Sequence, residues 1–227
     1  MKKILMILSS NSELKDTDSK TGVWLGEFTD PYFEFKDKGY DIVLASPLGG
    51  RPPVDPRSKL TENLTSSNRR FEKDEKAQRD FEYTRKLSEV SADDFAGVFL
   101  PGGHGPMGDL ATDKDTANLI VDFYRQDKPI GAICHGPAGL LTAAIEEPDL
   151  LLGRDVTAFS NTEEKLVGLR DHIPFSLEDR LKTLGANYHS ATIPFMREVK
   201  VDGKLVTGQN PVSAEKAARE LIKLLEA

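Results

Sequence analysis

The strongest constraint on the fold is a repeated alternation of short apolar runs with longer helical segments. Residues 2–8 (KKILMIL), 41–46 (DIVLAS), 96–100 (AGVFL) and 129–133 (PIGAI) are each too short for a stable helix and bounded by turn residues. They read as buried strands. Between them lie segments with helical spacing. One covers 22–38, with apolar residues at Val23, Trp24, Phe28, Tyr32, Phe33 and Phe35 and a kink or break expected at Pro31. Others cover about 113–126, 136–145, 160–167, 176–184 and 211–226, the last with proline at its start. Residues 154–159 read as a further strand, and 198–207 as two strands about an Asp-Gly turn. Such alternation predicts an α/β chain whose mostly parallel sheet is covered by helices on both faces.

The 227 residues suffice for one large domain, and no repeat or low-complexity linker divides them. A single domain over 1–227 is expected, with a helical and loop insertion at about 49–90. That stretch is rich in Pro and Gly at 49–62 and interleaves acids with bases over 64–88, as a solvated face does. The formal net charge of −7 gives no bulk attraction to nucleic acid or to a membrane surface. The opening MKKILMILSS resembles a leader, but its apolar run is short and no small-residue cleavage pattern follows, so a first strand is expected. The single cysteine fits a reducing cytoplasm, where a thiol stays free.

That cysteine sits in Ala132-Ile133-Cys134-His135-Gly136, at the carboxyl end of an apolar strand and the start of a helical segment. In parallel sheets ligands bind at that end of the strands. The pattern is that of a nucleophile elbow, whose tight turn requires small neighbours such as Ala132 and Gly136. A free cysteine is also a common core residue; the Gly-flanked Cys-His pair favours the reactive role. A thiol at a helix N-terminus is expected to ionise easily. A second strand end, Pro101-Gly102-Gly103-His104-Gly105, offers backbone amides that can approach a substrate and stabilise an oxyanion. Glu27 lies among Trp24, Leu25 and Phe28, which would raise its pKa if it is buried near the thiol. His172 and His189 read as surface or loop residues. No metal-ligand spacing such as His-x-x-x-His is present.

Taken together, KKILMILSS, TGVWLGEF, YDIVLASPLGG, VFLPGGHGPMGDL, PIGAICHGPAGLL and VTGQNPVSAEKAA resemble the ThiJ/PfpI superfamily over nearly the whole chain. This superfamily shares its flavodoxin-like core with class I glutamine amidotransferases. The long PPVDP segment is most similar to its glyoxalase III and stress-chaperone branch. The resemblance implies that Cys134 is the nucleophile and that Glu27 hydrogen-bonds the thiol and transfers protons. It implies that His135 is the adjacent histidine and that the amides of Gly103 and His135 are oxyanion donors. It also implies an acid that orients the histidine, for which Glu163 is the first choice and Glu164 the second. His104 lines the same turn and is a candidate substrate contact.

The resemblance further implies a cofactor-independent, metal-free glyoxalase III type lyase (a D-lactate dehydratase) acting on methylglyoxal and glyoxal, in a homodimer. The alternatives are a holding chaperone for unfolded client proteins and a cysteine hydrolase, either a deglycase or a peptidase. Glutamine amidotransferases of this fold draw on a downstream His-x-Glu pair. Here His172 is followed by Ile-Pro and His189 by Ser-Ala, so glutamine hydrolysis is not expected.

Overall fold

The computed structural model describes residues 2–227. Its elements run β1 (Lys3–Ile7), α1 (Leu25–Asp37), β2 (Asp41–Ser46), α2 (Ser66–Phe71), α3 (Glu75–Glu82), β3 (Arg85–Lys86), β4 (Gly97–Leu100), α4 (Gly105–Gly108) and α5 (Lys114–Arg125). They continue with β5 (Ile130–Ile133), α6 (Leu141–Glu146), β6 (Asp155–Val156), α7 (Asn161–Leu166), α8 (Leu177–Thr183), β7 (Asn187–Tyr188), β8 (Val199–Asp202), β9 (Leu205–Gly208) and α9 (Ala214–Glu226).

Seven strands form one sheet in the order β3-β2-β1-β4-β5-β9-β8. All neighbours are parallel except β8, which pairs antiparallel with β9. The five strands β2-β1-β4-β5-β9 reproduce the flavodoxin-like 2-1-3-4-5 order, with β3 and β8 added at the edges. The central strands β1, β4 and β5 are apolar almost throughout because both of their faces are covered. One face packs against α1 and α9, with Phe28, Phe35, Phe99 and Leu221 in its core. The opposite face packs against α5 and α6 through Leu100, Ile120, Phe123 and Leu140.

Three features differ from the sequence expectation. Helix α1 runs without interruption through Pro31, although this residue cannot donate to the carbonyl of Glu27 one turn back. The expected strand at 154–159 shortens to β6, which pairs only with β7. Beyond it the backbone bonds elsewhere: Thr157 N donates to Thr207 Oγ1, and Phe159 N to the carbonyl of Cys134. The segment 136–145 begins as a 3₁₀ turn over Gly136–Leu140 and becomes α-helical only at Leu141.

Within 49–90, α2 and α3 lie against α1. Phe71 and Phe81 meet Phe28 edge-on and tilted, with ring centroids 5.6 and 5.0 Å away. Aromatic pairs at this range add to burial. The excursion is thereby fixed against the helix that carries Glu27.

Candidate active site

Cys134 follows β5 with φ of 56°, a left-handed conformation that costs a non-glycine residue energy. The surroundings hold it in place. Its N–H donates to Gly208 O at 2.8 Å, and its carbonyl accepts from Phe159 N at 3.0 Å. Gly136 makes the turn possible, since a Cβ there would lie 2.2 Å from the carbonyl oxygen of Leu100. The thiol is only 4% exposed.

The end of β4 meets this turn from the neighbouring strand. Gly103 has φ of +91° and no room for a side chain, because a Cβ would lie 2.2 Å from Gly22 O. The two glycine amides have separate partners. Gly102 N donates to Glu27 Oε2 at 2.9 Å, whereas Gly103 N faces the Cys134 sulfur. Of these two amides, Gly103 is therefore the one aimed at an oxyanion formed beside Sγ.

Glu27 is fully buried on the first turn of α1, and its carboxyl group meets the thiol. Its Oε1 has no hydrogen-bond partner. Burial raises its pKa to about 8, against the pull of Cys134 and the Gly102 amide. Burial also pushes the Cys134 thiol well above its ordinary value, and the nearby Glu27 adds to this, while the Gly103 amide acts the other way. The easily ionised thiol expected from a helix N-terminus is thus not what the fold builds. The α-helix starts seven residues downstream, and desolvation dominates. At neutral pH the Cys134–Glu27 pair holds on to its protons until something accepts one.

His135 is such an acceptor. Its Nδ1 lies 3.3 Å from Cys134 Sγ, and its Nε2 lies 2.7 Å from Glu164 Oε2. The orienting acid is Glu164, not the first choice Glu163. Glu163 closes the α7 capping box, its Oε2 accepting from Ser160 N at 3.0 Å. Its Oε1 accepts from Phe195 N and Asn210 Nδ2 at 2.8 and 2.9 Å. Successive helical residues point about 100° apart, so only one of the two adjacent acids can face the imidazole. Both flanking histidines hold Glu164 below the usual carboxylate range, although burial opposes them.

His104 is nearly buried and stacks on His135, with ring centroids 4.0 Å apart. Its Nε2 lies 2.7 Å from Glu164 Oε1, and its Nδ1 lies 3.2 Å from Arg57 Nη2. Burial, reinforced by His135, lowers its pKa to about 4, so the ring is neutral near pH 7. Both ring nitrogens are occupied, while the ring also lines the cavity into which the thiol opens, as a candidate substrate contact would.

His104, His135 and Glu164 are also close enough together to offer donor atoms to one metal ion. Arg57 weighs against that use. Ligation through Nε2 would require the His104 proton on Nδ1, where the guanidinium already donates.

The thiol opens into a cavity of about 700 Å³. Its apolar walls include Trp24, Leu60, Leu64, Phe159, Phe195 and Val212. His189 is half-buried and pairs with Asp155 at 3.0 Å. His172 lines a separate cavity of about 330 Å³ that His104 also reaches. Arg57 and its partner Asp55 are the residues that sequence reasoning missed. Their loop, VDPRSK, carries no motif that marks either one. No helix among the described residues is long and apolar enough to cross a membrane.

Comparison with known proteins places this geometry. The sequence model of the DJ-1/PfpI family matches residues 20–224. "Glutathione-independent glyoxalase HSP31" of Saccharomyces cerevisiae is 30% identical over 239 residues, covering 99% of this chain and 98% of the relative. The crystal structure of glyoxalase III from Candida albicans superposes with a TM-score of 0.89 at 27% identity, covering 98% of this chain and 96% of that one. The structure of the Rapid Encystment Protein 24 kDa of Francisella tularensis superposes with a TM-score of 0.93 at 37% identity, covering 99% of both chains.

Proposed function

The chain belongs to the DJ-1/PfpI family, and on that premise we propose that it is a glutathione-independent glyoxalase converting methylglyoxal to D-lactate. The observation that carries the reading is the placement of one thiol between two proton-handling groups, Glu27 on one side and His135 Nδ1 on the other. That is the equipment for moving a proton between adjacent carbons of a bound 2-oxoaldehyde. A substrate thiol such as glutathione is unnecessary because Cys134 supplies the sulfur.

In the proposed sequence His135 Nδ1 takes the thiol proton as Sγ attacks the aldehyde carbon. Glu27, protonated at rest, gives its proton to the aldehyde oxygen, and a hemithioacetal forms. The amides of Gly103 and His135 stabilise the developing oxyanion. Glu27, now a carboxylate, removes the proton from the same carbon, and His135 protonates the neighbouring carbonyl oxygen to give an enediol. Glu27 returns its proton to the second carbon while the hydroxyl on the first gives its proton to His135. The result is a lactoyl thioester on Cys134. Water then cleaves the thioester, releasing lactate and the thiol. Glu164 balances the imidazolium at each stage where His135 is charged.

A second reading, a holding chaperone for unfolded clients, is favoured by one observation. Leu60, Phe195 and Val212 line the cavity and yet remain 41–52% exposed, as a surface that holds apolar segments requires. A cytoplasmic location and a homodimer belong to the same proposal and rest on the family resemblance.

The glyoxalase reading is tested by proton NMR of methylglyoxal incubated with the protein in glutathione-free buffer. Growth of the lactate methyl signal at the expense of substrate is expected. Unchanged substrate would overturn the reading.

A further inference from the structure

Arg57 lies outside the strand ends that carry the thiol and the glycine turn, yet its guanidinium reaches into the same network. It is tightly held. Its Nε and Nη2 both donate to the carboxylate of Asp55, which also accepts from Arg57 N at 2.9 Å and Thr21 Oγ1 at 3.0 Å. Asp55 is completely buried. A guanidinium so clamped has little freedom to move.

The consequence concerns His104. Arginine has donors and no acceptor, so Nδ1 of His104, 3.2 Å from Arg57 Nη2, must be the bare nitrogen. The ring proton is then on Nε2 and points at Glu164 Oε1. Glu164 Oε1 is thereby filled by a donor, and Oε2 is left to accept from His135 Nε2. With the His135 proton on Nε2, its Nδ1 is bare towards Cys134. The guanidinium thus holds Nδ1 of His104 bare, while the Glu164 carboxylate, which can only accept, draws the protons of both rings onto Nε2.

We propose that Arg57 is a positioning residue: by holding Nδ1 of His104 bare it fixes that ring as a single Nε2–H donor to Glu164, and so keeps the carboxylate oriented towards His135, whose Nδ1 accepts the Cys134 proton. Without it, His104 is free to carry a proton on Nδ1. That proton makes the ring either an imidazolium, which competes with His135 for the charge of Glu164, or the other tautomer, whose Nε2 no longer donates to Oε1; in both cases the carboxylate loses its fixed orientation towards His135. The role is distinct from binding substrate directly, which Arg57 could also do from the cavity wall that it lines.

The activity arm of the test rests on the glyoxalase reading; the spectroscopic arm does not. Nitrogen-15 NMR of the histidine rings in the full chain should show His104 neutral with its proton on Nε2. In Arg57→Met the His104 signals should shift towards Nδ1 protonation. A wild-type His104 protonated on Nδ1, or His104 signals that do not move in Arg57→Met, would overturn the proposal. In the activity arm, Arg57→Met should lower kcat for methylglyoxal by about tenfold with little change in KM. Arg57→Lys, whose single ammonium cannot bridge Asp55 and His104 in the same fork, should recover only part of the loss.

A His104→Gln background separates positioning from substrate binding. A glutamine amide donates to Glu164 without a tautomer to set, so Arg57→Met should cause no further loss there. Its full tenfold effect in that background would assign Arg57 to the substrate and overturn the proposal. Wild type that turns over no methylglyoxal would instead count against the glyoxalase reading and leave the NMR result to decide the role of Arg57.

Discussion

Oε2 of Glu164 lies 2.7 Å from Nε2 of His135, while the carboxyl group of Glu163, one residue earlier, bonds to Ser160, Phe195 and Asn210 instead. Two adjacent acids thus do different work, one on the imidazole and one on the loop that forms the cavity mouth.

Substitutions should separate the two. Glu164→Gln places an amide N–H₂ against one of two histidine nitrogens that already donate, and kcat should fall by about a thousandfold. Glu163→Gln loses acceptor capacity on a buried group and should cost about 1–3 kcal/mol of stability. Its kcat should stay within about threefold of wild type, because Glu163 does not touch His135. Steady-state kinetics and urea melts on the two variants check both statements.

Glu27 should make stability depend on pH. Its folded pKa, about 8, stands above the ordinary value of 4.5 because the group is buried. Between those values the folded chain keeps a proton that the unfolded chain has lost. The contribution of this group is thus fully present below pH 4.5 and declines as pH rises to about 8, by about 1.4 kcal/mol per pH unit. Glu27→Gln removes this dependence. Melts at pH 5 and pH 8 should show the variant gaining on wild type at the higher pH. The same variant cannot cycle a proton between carbons, and its kcat should fall by about 10²–10⁴-fold.

Gly136 should tolerate no side chain. The Cβ of Gly136→Ala would lie 2.2 Å from a backbone oxygen in the central strand β4, which cannot move aside cheaply. A loss of about 3 kcal/mol or more is expected, which for a chain of this size lowers Tm by about 10 °C. Scanning calorimetry measures this directly.

Much of this site was legible in the residues, and the limits have physical causes. The apolar runs that became β1, β2, β4 and β5 are buried on both faces, so composition alone marks them. The Cys134 turn and the Gly102–Gly103 turn were visible because tight backbone geometry demands small residues. Strand β3 is made of Arg85 and Lys86 at a sheet edge, where no apolar signal is needed. The choice between Glu163 and Glu164 depends on where α7 begins and how it is rotated, which two consecutive acids do not encode. The direction of the Cys134 shift was misjudged because helix position is local, whereas desolvation comes from residues far apart in sequence, Glu27 among them. Arg57 was invisible for the same reason, since its partner His104 lies 47 positions away.

The proposed reaction depends most directly on the sulfur of Cys134. The decisive measurement is lactate formation from methylglyoxal in glutathione-free buffer by wild type and Cys134→Ser side by side, with melting curves showing that both are folded. Lactate from wild type and none from Cys134→Ser is the predicted result. Equal lactate from both would show that the thiol is not the nucleophile and would contradict the mechanism.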